Sequence, residues 1–311
     1  MRLVRTPAPA PVPPVSAPAA PAARPARPRP AGVIAMVGSG LSNQTGAAIG
    51  SLAFPVLGPV GVVAVRQYVA AIVLLAVGRP RLRTFTWRQW WPVLSLAVVL
   101  GTMNLSLYSA VDRIGLGLAV TLEFLGPLGI ALAAARRRAD ACCAVIAAAG
   151  VVTLMRPRPS TDYVGMGLGM LAAACWASYI LLNRTVGRRL PGAQGSAAAA
   201  GVSALLFLPV GVAVVLRHPP TATALACATA AGVLSSAVPY LADLFTLRRV
   251  PAPAFGLFMS VNPVLAAAVG RVGLGQRLGL AEWAGIGAVV AANTLSILGA
   301  GGSGAGGVRR R

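Results

Sequence analysis

Residues Gly115–Ala135 read GLGLAVTLEFLGPLGIALAAA, and Arg136, Arg137 and Arg138 follow at once. The stretch has the length of a bilayer span, about 20 residues, and Glu123 is its only charge. A carboxylate at that depth costs about 2.5–3.5 kcal/mol on insertion scales and is typically retained for ion or substrate handling. What surrounds Glu123 in the rest of the chain therefore decides how it is read.

The whole chain repeats the pattern. Of 311 residues, 57% are hydrophobic and 11% charged, and the mean hydropathy is +0.76. That composition lies outside the range of soluble globular domains and specifies an all-α polytopic membrane protein. The net charge of +21 would point to nucleic acid in a soluble domain. Here the arginines fall in short clusters between apolar runs, so membrane topology accounts for them and no nucleic-acid partner is expected. Every basic residue is arginine. Together with the abundance of Ala, Gly and Pro this reflects a coding bias, and no mechanism follows from it. Cys142, Cys143, Cys175 and Cys227 all fall in apolar segments, where thiols serve as small packing residues.

Residues 1–31, almost all Pro, Ala and Arg, cannot build a core and are expected to form a disordered, polyproline-like tail. No separate apolar leader precedes the first long hydrophobic run, which argues against a cleaved signal. Residues 301–311 form a Gly- and Arg-rich second tail. Between them ten spans are expected, near 33–53, 58–78, 91–111, 115–135, 139–155, 163–183, 193–216, 222–246, 252–270 and 280–299. Gly46/Gly50 and Gly165/Gly169 have the small-xxx-small spacing that lets helices approach closely.

Arginine placement orients the spans. With the N-terminus in the cytoplasm, twenty arginines fall in cytoplasmic segments and six in external loops, leaving Arg66 within a span. Both termini are thus expected in the cytoplasm of a multi-pass plasma-membrane protein. Trp87, Trp90 and Trp91 then mark a cytoplasmic interface. Ten spans divide into two sets of five, and an odd number per set requires opposite insertion of the two halves, as in inverted-repeat carriers. Residues 32–156 and 157–300 are the expected repeats. At an offset of 136, Arg113 matches Arg249, Pro127 matches Pro263 and Ala131 matches Ala267.

Among the six acids, Asp112 and Asp162 are expected in external loops, and Asp140 and Glu282 at helix starts, where the macrodipole favours an anion. Asp243 lies near a span end beside Arg248 and Arg249. Only Glu123 must be deep. Its counterpart is Arg66: Arg66 lies eight residues past Gly58 and Glu123 eight past Gly115, so both sit about 12 Å below the external ends of their spans. Two readings stay open. The two residues form a permanent ion pair that fixes helix packing, or Glu123 faces a central cavity and exchanges protons or binds a substrate amino group.

Polar and aromatic residues at helical spacing can line the same path. Ser39, Asn43 and Gln44 share span one; Asn104 and Tyr108 are one turn apart in span three; Trp176, Tyr179 and Asn183 share a face of span six. Tyr240 precedes Asp243 by three residues, and Ser260 and Asn262 lie just before Pro263 in the sequence. Each also suits an interhelical hydrogen bond or an interface anchor.

No HExxH, P-loop or GxSxG occurs, and the single histidine, His218, is expected in an external loop beside Pro219 and Pro220. Neither an enzyme nor a metal or other cofactor is expected. With no ATPase domain, transport would run on a gradient or be passive.

Several segments carry a family resemblance: Met103-Asn104; Gly117 through Leu122-Glu123-Phe124 and Gly126-Pro127-Leu128; Ala174-Cys175-Trp176-Ala177 with Tyr179-Ile180-Leu181. The second half adds Leu234-Ser235, Pro239-Tyr240, Arg249, Pro251, Phe255-Gly256, Met259-Ser260, Pro263 and Leu265-Ala266-Ala267. Over roughly residues 33–300 the chain resembles the EamA-type drug/metabolite transporter superfamily, and most closely its threonine/homoserine exporter branch. The resemblance implies two inverted five-helix repeats, a central cavity, and export of amino acids or related small metabolites, often coupled to protons. Arg66, in Ala64-Val65-Arg66, matches a position where the family tends to carry Arg. Asn262 stands where close relatives tend to have Glu, and Gln276 replaces the Glu of a usual Leu-Gly-Glu segment.

The leading expectation is a secondary transporter with Glu123 as coupling or substrate-binding carboxylate. The alternatives are a non-transporting scaffold or assembly subunit, and a passive facilitator. The expected partners are the lipid bilayer, a small-molecule substrate and protons, with a homodimer left as an open assembly state.

Overall fold

The structure, a computed structural model, describes residues 30–134, 142, 146, 149–150, 153, 162–217, 219–239 and 262–302. Most of the span expected at 139–155, the arginines 136–138, both expected tails over most of their length, Tyr240, Asp243 and Ser260 lie outside the described residues.

The described chain is helical. In order come α1 (Pro30–Ser51), α2 (Phe54–Gly78), a 3₁₀ turn (Leu82–Thr84), α3 (Trp87–Ile114), α4 (Leu116–Glu123), α5 (Leu125–Ala134), α6 (Tyr163–Arg189), α7 (Gln194–Arg217) and α8 (Ala222–Gly232). A π-helical turn (Val233–Ala237), α9 (Asn262–Gly273) and α10 (Leu280–Gly302) follow. Among the described residues, four helices are long and apolar enough to cross a membrane: α2, α3, α6 and α7.

Local chemistry sets the helix ends. Gly58 and Gly115 both take positive φ, 65° and 83°, a region that only glycine enters freely. Gly58 kinks α2 ahead of Pro59, and Gly115 turns the chain from α3 into α4. Thr86 and Gln89 form a capping box at the start of α3, with the Thr86 amide donating to Gln89 Oε1 at 2.9 Å. At the start of α6, Asp162 accepts from the Gly165 amide at 2.8 Å and pairs with Arg113 at 2.9 Å. The Gly165 amide, then the Arg113 guanidinium, hold this carboxyl below the usual aspartate range. Asp112, expected in a loop, occupies the exposed last turn of α3, which runs three residues beyond the expected boundary.

The expected fourth span is a broken helix. Proline at 127 has no N–H, so the Glu123 carbonyl loses its helical donor, and the chain turns at Phe124 between α4 and α5. Such breaks are tolerated at membrane depth where protein covers them, and here α6 does. A methyl group on Gly126 would overlap the Ala173 carbonyl and stand 3.2 Å from the Ala177 amide. Gly126→Val is therefore expected to destabilise the fold by about 1–3 kcal/mol or more, read as a lower thermal midpoint and lower yield of monodisperse protein.

Packing follows from the small residues. α1 lies against α8, the π-turn and α9; α2 against α7, α8 and the π-turn; α3 against α6 and α7; α4 against α6 and α9. At Gly46 a Cβ would overlap Ser235 Oγ and approach Leu234 Cβ to 2.7 Å; at Gly50 it would lie 2.9 Å from Ala231 Cβ. Gly165 and Gly169 seat Ile114 and Leu122 in the same way. Both small-xxx-small pairs are close-approach surfaces. A buried cluster that includes Leu57, Val62, Tyr108, Leu116, Phe124 and Ala228 joins α2, α3, α4 and α8. Cys175 is buried within this packing and Cys227 partly so, whereas Cys142 is exposed.

Candidate functional site

Glu123 ends α4 and is 7% exposed. The residue that follows it, Phe124, meets Trp176 of α6 edge-on at 4.6 Å between ring centroids. Trp176, expected in the polar path, thus packs against the ring that follows Glu123 in the chain and against the apolar cluster to which Phe124 belongs. The Glu123 carboxyl lies within electrostatic range of Arg66 and of Cys175.

Arg66 does not make an ion pair with Glu123. Among the described residues the one ion pair is Arg113–Asp162. The guanidinium of Arg66 turns to the second half of the chain: Nε donates to Ser236 Oγ at 3.0 Å and Nη2 to the Ser235 carbonyl at 2.9 Å. It also lies 5.1 Å from the centroid of the Tyr108 ring, a cation–π distance. Both acceptors belong to the π-turn. Widening one turn from i→i+4 to i→i+5 bonding disturbs the ladder, and such turns recur at functional sites. A guanidinium has five N–H donors, so two bonds to neutral partners leave donor capacity and a positive charge for an anion.

Tyr108 is 1% exposed, and its hydroxyl has no hydrogen-bond partner among the described residues. Phe54 packs edge-on against its ring at 5.9 Å. An unsatisfied buried hydroxyl costs about 1–3 kcal/mol. Tyr108→Phe is accordingly expected to keep or raise the thermal midpoint of the purified protein; a fall of several degrees would mean that the hydroxyl has a stabilising partner.

The other expected polar residues separate into two groups. In α1, Gln44 Nε2 reaches Asn262 Oδ1 of α9 at 3.5 Å, and the Asn43 carbonyl accepts from Ser235 Oγ at 2.8 Å. Ser42 Oγ donates to the Leu234 carbonyl at 2.8 Å. These contacts bring α1, α9 and the π-turn together beside Arg66. Asn104 is buried but donates to Leu100 O of its own helix at 2.8 Å. Tyr179 and Asn183 form a separate contact on α6: Asn183 Nδ2 donates to Tyr179 Oη at 3.5 Å, and Ser196 Oγ of α7 donates to Asn183 Oδ1 at 3.4 Å. Among the described residues Gln276 makes its side-chain hydrogen bond to the start of α4. Its Oε1 accepts from the Leu116 amide at 3.1 Å and closes the start of α4.

Ser235 and Ser236 escaped the sequence reading as site residues. The available signal was their adjacency, two hydroxyls in the apolar run Val233–Val238, but nothing local says that an arginine about 170 residues earlier will find them.

A helical membrane protein with a buried acid, and with a half-buried arginine that bonds across from the first half of the chain to the second, has the build of a small-molecule carrier. Comparison with known proteins agrees. Residues 163–298 match the EamA-like transporter family. The threonine/homoserine exporter RhtA of Escherichia coli K12 is 34% identical over 260 residues, 83% of this chain and 88% of the exporter. RhtA of Salmonella typhimurium LT2 matches with the same identity and coverage. A protein of known crystal structure shares the fold at a TM-score of 0.60, covering 88% of this chain and 99% of its own at 18% identity. The chain belongs to the EamA-like transporter family, and it is a multi-pass membrane protein.

Proposed function

We propose that this chain is a secondary transporter that exports threonine, homoserine or related small amino acids across the plasma membrane. The observation that carries the reading is the pair Glu123 and Arg66, one buried acid and one arginine without an acidic partner among the described residues, in a chain 34% identical to threonine/homoserine exporters. A zwitterionic amino acid needs both. Arg66 receives the carboxylate through charge-assisted bonds, and Glu123 takes the ammonium group or carries the coupled proton. Asn43, Asn104, Tyr108, Trp176, Tyr179, Asn262, Tyr240 and Asp243 would complete the polar path.

Transport by alternating access requires two halves that rock about a common site. Contacts between the halves fall in exchange pairs, which supports two five-span repeats at 32–156 and 157–300. α1 meets α8 as α6 meets α3; α2 meets α8 as α7 meets α3; α1 meets α9 as α6 meets α4; and α2–α7 and α4–α9 are self-paired. Swapping α1–α4 for α6–α9 leaves this pattern unchanged. With ten spans, the positive-inside distribution puts both termini in the cytoplasm.

The test is an overexpression screen in cells for resistance to, and excretion of, threonine, homoserine and their toxic analogues. Excretion several-fold above vector controls is expected for small hydroxy amino acids. Normal excretion of every amino acid, from protein shown to be in the membrane, would refute the reading.

A further inference from the structure

The two ends of the helical bundle differ in a way that export does not require. At one end stand Arg79, Arg81 and Arg83 of the α2–α3 connection, Arg88 in the first turn of α3, and Arg184, Arg188 and Arg189 in the last turns of α6. All seven are exposed, and no acid lies at this end among the described residues. At the opposite end four arginines, Arg113, Arg217, Arg271 and Arg277, share the surface with Asp112, Asp162 and Glu282. Self-repulsion at the first end is therefore uncompensated among the described residues.

That end is also firmly assembled. Arg189 Nη1 donates to the Arg88 carbonyl, Gln89 Nε2 donates to the Arg189 carbonyl at 3.1 Å, and the Arg189 guanidinium lies 5.0 Å from the Trp91 ring centroid. These contacts fasten the start of α3 to the end of α6. Thr84 Oγ1 donates to the Arg81 carbonyl at 2.8 Å and shapes the turn that presents Arg81 and Arg83. Arg184 and Arg188 are one helical turn apart and share a face. The side chains of Arg81, Arg83, Arg88, Arg184 and Arg188 make no hydrogen bond or ion pair among the described residues. Beside them Trp87 is 73% exposed, Trp91 40% and Leu82 42%.

We propose that this surface binds the headgroup of an anionic phospholipid, with the α2–α3 connection on one side and the end of α6 on the other. Cations next to exposed indoles match a molecule with a phosphate at one end and acyl chains at the other. Tryptophan sits at headgroup level, and each arginine near the surface adds to the attraction for anionic lipid. A free phosphate or a nucleic acid would engage the arginines and leave the indoles idle.

The test uses the full-length protein in a neutral detergent, titrated with short-chain phosphatidylglycerol, phosphatidylcholine or inorganic phosphate while the thermal midpoint and native mass are followed. Phosphatidylglycerol is expected to raise the midpoint and remain as discrete adducts, at least tenfold more tightly than phosphatidylcholine, and added salt should weaken it. The Arg81→Gln, Arg83→Gln, Arg184→Gln, Arg188→Gln variant should bind at least tenfold more weakly. The Arg217→Gln, Arg271→Gln, Arg277→Gln variant, altered at the other end, should bind as wild type does. Equal affinity for the two lipids, or the same stabilisation by inorganic phosphate, would overturn the proposal on wild-type protein alone. So would undiminished binding by the first variant.

Discussion

Glu123→Gln is expected to reduce pH-gradient-driven export of threonine at least tenfold in proteoliposomes, with folding kept. The side chain is 7% exposed at the end of α4, next to a break in the helix, and the structure gives it no ion pair among the described residues. Glutamine keeps the size and the hydrogen-bonding capacity but neither ionises nor exchanges a proton. If Glu123 served packing alone, this near-isosteric change would leave rate and pH dependence as they are. Exchange of labelled for unlabelled threonine separates the two active roles: a coupling carboxylate is dispensable for exchange, whereas a carboxylate that binds the ammonium group is needed for it.

The second large effect is expected at Arg66. Hydrogen bonds to a charged partner contribute about 1.5–3 kcal/mol, and each 1.4 kcal/mol is about tenfold in affinity. Arg66→Gln should therefore raise the threonine KM by about one to two orders of magnitude. Arg66→Lys should not restore it, because an ammonium group cannot reproduce the planar fork that reaches Ser236 Oγ, the Ser235 carbonyl and an incoming carboxylate together. Charge reversal addresses the ion-pair alternative. Arg66→Glu with Glu123→Arg would restore transport if the two residues acted only on each other. The contacts of Arg66 with the π-turn predict that it does not.

Much of this site was legible in one dimension because depth in a helix is a matter of counting. A rise of about 1.5 Å per residue placed Glu123 and Arg66 level once Gly58 and Gly115 were taken as helix starts, and both glycines do take positive φ there. The close approaches at Gly46, Gly50, Gly165 and Gly169 were likewise written in their spacing. Direction around the helix was not. A boundary error of one residue turns a side chain by about 100°, enough to send Arg66 toward Ser235 and Ser236 instead of Glu123. The break at Phe124 was foreshadowed by Pro127, but its position beside Glu123 comes from the four-residue reach of the missing hydrogen bond. The π-turn had no local signal, since nothing in Val233–Ala237 distinguishes it from an α-helical turn.

The central claim, that this chain is a carrier with a zwitterion site between its halves, meets its most direct test in threonine counterflow. Proteoliposomes loaded with unlabelled threonine are diluted into trace labelled threonine. The account predicts a transient accumulation of label above equilibrium, absent in empty liposomes and strongly reduced by Arg66→Gln. Label that only equilibrates would mark a passive pore, and no uptake above protein-free liposomes would mark a protein that does not transport threonine; either result would contradict the account.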